Sequence, residues 1–409
     1  MASLRTTILE LARNRKRWED MQRGGVIRRP SGAMGRLQKV EGFGFNPGRL
    51  ALLAHVPAGM RRGAPLVVVL HGCTQTAASY DNGSGWSRLA DEHGFAVAFP
   101  EQRSENNAKL CFNWFDPRHT ERGRGEAQSI AQMIEHMVVA HGLDGSRIYI
   151  TGLSAGGAMT SVMLATYPEL FAAGAVIAGL PFGAAHDVQQ AFESMFNGRV
   201  RSAGEWGQLV RRASPHRGPW PKVSIWHGTD DRTVKPINAE ELAKQWTDVH
   251  GLRLADGERL GQGTISGRRW RGASGETLVE EVLVLGLAHG TPVDGRVDGF
   301  GPSPPPFMLD VGVSSTRRLA AGWGLTGNAK AREFLAPWVG DVPPEHAEHL
   351  EPHDTYAQRS AGQQRLRPGN EASPPRQEKN RPTPANAHPS LRVGEIIDQA
   401  LRRAGLLGR

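Results

Sequence analysis

Gly152-Leu153-Ser154-Ala155-Gly156 is a G-x-S-x-G match. A serine hydroxyl is a weak nucleophile unless a general base takes its proton and a third group orients that base. The pattern serves such chemistry where a strand runs into the serine and a helix leaves it, so that the turn presents the hydroxyl beside a helix N-terminus. Flanking glycines let neighbouring chain pass without Cβ clashes. Here Arg147–Gly152 (RIYITG) predicts a strand and Ala155–Thr166 a helix. Ser154 is therefore the candidate nucleophile, and a tight turn without chemistry is the weaker reading because the context is met.

In this strand-turn-helix arrangement the acid and then the base follow the serine along the chain. Downstream lies Trp226-His227-Gly228-Thr229-Asp230-Asp231-Arg232-Thr233-Val234. The strand Lys222–Gly228 (KVSIWHG) ends there, and loops at strand C-termini gather ligand-facing residues in open α/β sheets. Spacing alone leaves Asp230 and Asp231 both as candidates. His289, in Leu285-Gly286-Leu287-Ala288-His289-Gly290, follows the last clear strand, Leu278–Leu285, and is the candidate general base. A plain loop histidine is the alternative reading. His346, His349, His353 and His388 also follow, but in a stretch without apolar period. An oxyanion hole needs a second donor from an earlier loop. Gly72-Cys73-Thr74-Gln75 after the strand Pro65–His71 supplies it, so the backbone N–H groups of Cys73 and Ala155 are the candidate oxyanion donors.

These loops need a scaffold. Short apolar runs at Pro65–His71 (PLVVVLH), Gly94–Pro100 (GFAVAFP), Gly174–Gly179 (GAVIAG) and Lys222–Gly228 predict buried strands. Ala127–Ala140 carries Ile130, Met133, Ile134, Met137 and Val138 at helical spacing. Strands alternating with helices predict a mostly parallel sheet with helices on both faces, an α/β fold. No internal repeat of 20–50 residues is present.

The expected organisation is a basic N-terminal extension over 1–45, the enzyme domain over 46–340, a disordered linker over 341–390 and a short amphipathic helix over 391–409. The linker is rich in Pro, Gln, Asn, Arg and Glu, whereas Val393, Ile396, Ile397, Ala400, Leu401 and Ala404 share one helical face.

The 409 residues carry a net charge of +8, but ten Lys+Arg against four Asp+Glu in residues 1–45 account for +6 of it. The body is near neutral, which argues against nucleic acid as a partner. No apolar run approaches the length of a transmembrane helix. The first twenty residues lack the apolar core of a secretory signal, so the cytoplasm is the expected compartment, with an extracellular site as the alternative. The two cysteines, Cys73 and Cys111, fit no zinc spacing. They are expected to lie close enough to bridge, tying the oxyanion loop to the segment at Phe112-Asn113-Trp114-Phe115. Trp114 and Trp86 are the candidate cleft residues. Neither metal nor cofactor is expected: His346-x-x-His349 is isolated, and Gly42-x-Gly44 lacks the strand-then-helix context of a dinucleotide site.

His71-Gly72-Cys73-Thr74-Gln75, Cys111-Phe112-Asn113-Trp114-Phe115, Gly152–Met159 (GLSAGGAM) and the H-G-x-x-D-x-x-V pattern of His227–Val234 together resemble the polyhydroxybutyrate depolymerase family of esterases, over roughly residues 46–340. The resemblance implies an α/β-hydrolase fold and hydrolysis of carboxylic esters, poly(3-hydroxybutyrate) or its oligomers among them. It aligns the acid with Asp231 and implies the Cys73 N–H as an oxyanion donor. Relatives in the family include feruloyl and acetylxylan esterases, which keeps those substrates open as an alternative. A non-catalytic granule-binding protein on a retained hydrolase fold is the third reading, and a polymer or granule surface is the partner it shares with the first. Two departures stand out. Many members are secreted, and the family histidine commonly sits in a Gly-His-Ala-Trp context, where this chain has Ala288-His289-Gly290-Thr291.

Overall fold

A computed structural model describes residues 35–300 and 304–326. Ten strands form one sheet in the order β1-β2-β4-β3-β5-β6-β7-β10-β9-β8. They are β1 (Gln38–Val40), β2 (Ala51–His55), β3 (Leu66–Leu70), β4 (Ala96–Glu101), β5 (Ile148–Leu153), β6 (Ala173–Ile177), β7 (Lys222–Gly228), β8 (Glu258–Gln262), β9 (Ile265–Arg271) and β10 (Thr277–Val284). The centre, β4-β3-β5-β6-β7-β10, is parallel throughout. Antiparallel strands extend it on both sides, β1 and β2 at one edge and β9 and β8 at the other. A separate parallel pair joins β11 (Thr291–Val293) to β12 (Met308–Asp310).

The period-two alternation of the buried strands divides the core between the two faces. In β3, Leu66, Val68 and Leu70 enter one apolar cluster while Val67 and Val69 enter the other. The first cluster is covered by helices Gly125–His141 and Ala155–Thr166, which contribute Ile130, Met133, Ile134, Met137, Met159 and Val162. The second lies under Ala77–Ser84, Trp86–His93 and Ser315–Gly322, with Tyr80, Trp86, Leu89 and Leu319. This is the expected α/β architecture with helices on both faces.

Strand placement follows the sequence reading at β3, β4, β5, β6, β7 and β10 to within two residues at either end. The helix expected over Ala155–Thr166 is reproduced, and that over Ala127–Ala140 extends to Gly125–His141. Three features depart from expectation. β1 lies inside the stretch read as extension and linker, because Leu37 is buried and Gln38–Val40 pairs with Leu52–Ala54. The folded chain thus begins before residue 46. The β8–β9 hairpin, ERLGQ and ISGRRWR, carries no continuous apolar run, since Arg and Gly interrupt its apolar residues as on an edge ribbon with one solvated face. β2 is a five-residue strand whose antiparallel entry no local signal announces. The expected linker and C-terminal helix lie outside the described residues.

Candidate active site

Register lines up the ends of five parallel strands. Leu70 pairs with Gly152, Leu153 with Ile177, Ile177 with Trp226, and Gly228 with Val284. The loops leaving β3, β5, β7 and β10 therefore open on one sheet edge, and they carry Cys73, Ser154, Asp231 and His289.

Ser154 has φ 57° and ψ −116°, outside the regions an L-residue ordinarily occupies. Its surroundings hold that conformation. Its N–H donates to the carbonyl of Ile177 at 2.9 Å, and its own carbonyl accepts from Ala158 N at 2.8 Å as helix Ala155–Thr166 begins. The glycines earn their places sterically. A Cβ on Gly152 would stand 2.5 Å from the Gly156 carbonyl, and one on Gly156 would stand 2.4 Å from the Leu70 carbonyl oxygen. The strand and helix can cross this closely only without those side chains.

Asp231 and His289 meet directly. His289 Nδ1 donates to Asp231 Oδ2 at 2.7 Å, which leaves Nε2 as the acceptor nitrogen of the ring. Asp231 Oδ1 accepts the backbone N–H groups of Thr233 and Val234 at 2.8 and 2.9 Å. His227, fully buried, donates from Nε2 to the Val234 carbonyl at 2.7 Å and lies 3.4 Å from Asp231 Oδ2. Burial by itself would raise the Asp231 carboxyl. The charge of His289 and hydrogen bonds from His227 and His289 outweigh it and hold the group well below the usual carboxylate range. Asp230, the other aspartate that spacing allowed, is exposed and does not reach His289; its N–H donates to Leu287 O. The structure thus brings Asp231, not Asp230, to the base. The ring of Phe307 stands edge-on to His289, with centroids 6.2 Å apart.

The Gly72–Gln75 loop, the candidate oxyanion loop, is tied from several sides. Cys73 and Cys111 form a disulfide, as expected from their positions, with Cα atoms 4.2 Å apart. Thr74 N donates to Lys109 O at 2.7 Å and Gln75 N to Gly72 O at 3.3 Å. Among the described residues, these bonds leave the Cys73 N–H as the one amide of Cys73–Gln75 without an acceptor. Gln75 braces the turn: its Oε1 accepts from Gly72 N at 2.8 Å and its Nε2 donates to the carbonyl of Pro306 at 2.9 Å. His71 is buried; its Nδ1 donates to Gly72 O at 2.8 Å and its Nε2 accepts from Gln102 N at 3.1 Å. Burial pushes His71 down to about 4, against its bond to Gly72.

Both tryptophans expected at a cleft are largely buried. Trp86 is 1% exposed and stacks on Trp323 at 5.8 Å within the second core cluster. It opens helix Trp86–His93, whose apolar face is turned to the sheet. Trp114 is 7% exposed and packs edge-on against Phe115 in the first cluster. Large aromatics fill cores as readily as they line clefts. The sequence reading also passed over Gln75, Gln102, Glu126 and His227, all buried polar residues around the site. Nothing local distinguishes a buried Glu126 from the acidic residue common in a first helical turn. Among the described residues there is no group of three or more His, Cys, Asp or Glu able to hold a metal ion, and no helix long and apolar enough to cross a membrane.

The family model described as Esterase PHB depolymerase matches residues 50–266. The match contains Ser154 and Asp231 and stops before His289. Over 293 residues the chain is 45% identical to Poly(3-hydroxyalkanoate) depolymerase C of Paucimonas lemoignei, covering 71% of this chain and 70% of that protein. It is 33% identical over 271 residues to Acetylxylan esterase A of Aspergillus oryzae, covering 64% of this chain and 87% of the relative. Among solved structures, the acetyl xylan esterase from Aspergillus awamori superposes with a TM-score of 0.59 at 28% identity, covering 65% of this chain and 100% of that one.

Proposed function

This chain belongs to the Esterase PHB depolymerase family and is a serine carboxylic-ester hydrolase, and from that premise we propose that Ser154, His289 and Asp231 are its catalytic triad. The observation that carries the assignment is the Asp231–His289 hydrogen bond on the sheet edge where Ser154 is held in a strained turn. His289 Nε2 takes the proton of Ser154 Oγ as that oxygen bonds to the ester carbon. The negative charge moves to the carbonyl oxygen, facing the N–H groups of Cys73 and Ala155. Collapse of this intermediate breaks the bond to the alcohol oxygen, which leaves with the proton from His289. Water then repeats the sequence on the acyl-enzyme, releasing the acid and restoring Ser154. Asp231 keeps His289 in the Nδ1–H tautomer and stabilises its cation while the proton is held.

The substrates we propose are poly(3-hydroxybutyrate), its oligomers and related short esters, with a polymer or granule surface as partner. The 45% identity to a protein named for poly(3-hydroxyalkanoate) supports this over acetylxylan, since identity to the acetylxylan esterase of Aspergillus oryzae is 33%. A panel of hydroxybutyrate oligomers, acetylated xylan and methyl ferulate tests the choice. Turnover confined to the xylan or ferulate substrates would overturn it. The Cys73–Cys111 disulfide favours an oxidising, extracytoplasmic compartment over the cytoplasmic expectation. Recovery of the unpaired thiols from the native source would reverse that.

A further inference from the structure

Glu126 is fully buried at the start of helix Gly125–His141, and the triad chemistry does not use it. Its carboxylate accepts three donors. Oε2 takes the Asn113 backbone N–H at 2.8 Å, and Oε1 takes Asn113 Nδ2 at 2.6 Å and Gln102 Nε2 at 2.7 Å. Both donor residues lead to the oxyanion loop. Asn113 is two residues from Cys111, which is bonded covalently to Cys73. Gln102 donates its backbone N–H to His71 Nε2 and also donates from Nε2 to the Cys111 carbonyl at 3.0 Å. His71 in turn holds the Gly72 carbonyl. The carboxylate thus holds the loop at two points, through His71 before Cys73 and through the disulfide at Cys73 itself.

We propose that ionised Glu126 is the positioning residue of the oxyanion hole: it fixes the Cys73 N–H by holding His71-Gly72 and Cys111-Asn113 to one buried anion. The inference rests on the triad and oxyanion reading above and adds to it the group that sets the loop.

The donor arithmetic makes ionisation matter. An ionised carboxylate only accepts, which suits three N–H partners. A protonated one gains a donor hydrogen that must find an acceptor. The Asn113 side-chain oxygen already accepts from Asn107, and that of Gln102 from Asn106 and Arg103. His119 Nδ1, 3.6 Å from Oε1 and without a hydrogen bond among the described residues, is an unengaged nitrogen nearby, and a carboxyl that turned to donate to it would weaken its hold on the Asn113 and Gln102 donors. The ionisable groups around Glu126 are His119 on helix Pro117–Thr120, Asp116 at its cap, whose charge raises Glu126, and His71 beyond Gln102. The Gly48 backbone packs against it from the remaining side. Burial, opposed by the bonds from Asn113 and Gln102, pushes Glu126 up to about 7. The carboxylate therefore changes its protonation near neutral pH.

The test uses the full chain and a p-nitrophenyl ester. Glu126→Gln should lower kcat about tenfold or more, a part of what losing an oxyanion donor costs. KM should stay within about twofold, the pattern of an interaction made only in the transition state. The inhibition constant of a boronic acid, whose tetrahedral adduct needs the same hole, should rise by a similar factor. The pH profile gives a readout that plain structural damage would not move. In the wild type the acid limb of log kcat/KM should fall more steeply than one proton allows, since His289 and Glu126 both have to be unprotonated. In the variant it should fall as a single proton. A folded Glu126→Gln protein with wild-type kcat and an unchanged limb overturns the proposal. If that variant does not fold, the wild-type limb decides: a single-proton limb overturns the proposal, a steeper one supports it. An active Ser154→Ala protein would sink the triad reading itself. An inactive Ser154→Ala beside an unaffected Glu126→Gln would sink this inference alone.

Discussion

Ser154 sits in a backbone conformation that the fold around it must enforce, and it is the residue from which the acyl-enzyme would form. Ser154→Ala is expected to fold and to lose nearly all ester turnover. Organophosphate labelling followed by peptide mapping checks this, and label on any other residue would remove the assignment. The neighbouring aspartates give a sharper test, because the geometry separates them. Asp231→Asn leaves an amide opposite His289 Nδ1, favours the wrong tautomer and should lower kcat by about 10⁴, the scale seen for the equivalent change in another triad. Asp230→Asn alters an exposed side chain and should change kcat less than about twofold. Steady-state kinetics on the pair decide it; reversed effects would mean that Asp230 orients the base.

At the scale of elements, the site depends on how closely β5, β3 and helix Ala155–Thr166 approach. Gly156→Ala puts a Cβ within 2.4–2.5 Å of the carbonyl oxygens of Leu70 and His71, so the helix or the oxyanion loop has to move. Overpacking of this kind costs about 1–3 kcal/mol, and here it should lower kcat as well. Thermal unfolding with kinetics on the same preparation tests both effects. A Gly156→Ala protein of wild-type stability and rate would show the crossing to be looser than described. The disulfide acts at the same scale. It closes a loop of 38 residues, for which chain entropy predicts about 4 kcal/mol of stabilisation. Replacing both cysteines by alanine should lower the urea midpoint accordingly. Slower hydrolysis should survive, because the proposed donor is a backbone N–H; complete loss of turnover in a folded double variant would assign the thiol or the bridge a larger part.

For the whole molecule, two buried groups flanking the oxyanion loop oppose one another in pH dependence. Glu126 is raised from its ordinary 4.5 to about 7, so the folded chain binds its proton more tightly than the unfolded chain does. Its contribution is present below pH 4.5 and is lost as pH rises through 7. His71 is lowered from 6.5 to about 4, so its contribution is full above pH 6.5 and is lost as pH falls toward 4. Glu126→Gln removes only the first. The difference in Tm between variant and wild type should therefore move in the variant's favour from pH 4.5 to 7, and a constant difference would mean that Glu126 does not titrate there. The limits of the enzyme domain are also testable. We propose that residues 35–326 suffice for turnover of small soluble esters, since the four loops that form the site and the strands that carry them lie within that span. A truncated chain of those residues that is folded but inactive would show that a further segment completes the site.

The tight turn at Ser154, the proposed nucleophile, was legible from local sequence alone, because a strand, the serine and a helix are consecutive and the glycines that permit the turn stand beside it. So was the parallel centre of the sheet, since strands buried on both faces are continuous apolar runs such as Leu66–Leu70. The partners of Ser154 were less legible. Spacing left Asp230 and Asp231 level, and the choice between them depends on which side chain turns inward beneath His289, 58 residues further on. β1 and the β8–β9 hairpin escaped notice because edge strands show one polar face and read as loop. Trp86 departs from expectation for the converse reason: bulk and aromaticity do not say whether a ring faces a cleft or a core, and Trp86 faces the core. Glu126 lay beyond any sequence argument, since a carboxylate in the first turn of a helix is ordinarily solvated. Its role arises only where β3, β4, the Cys111–Asn113 segment and a helix N-terminus converge, and only the tertiary structure brings those elements to one buried charge.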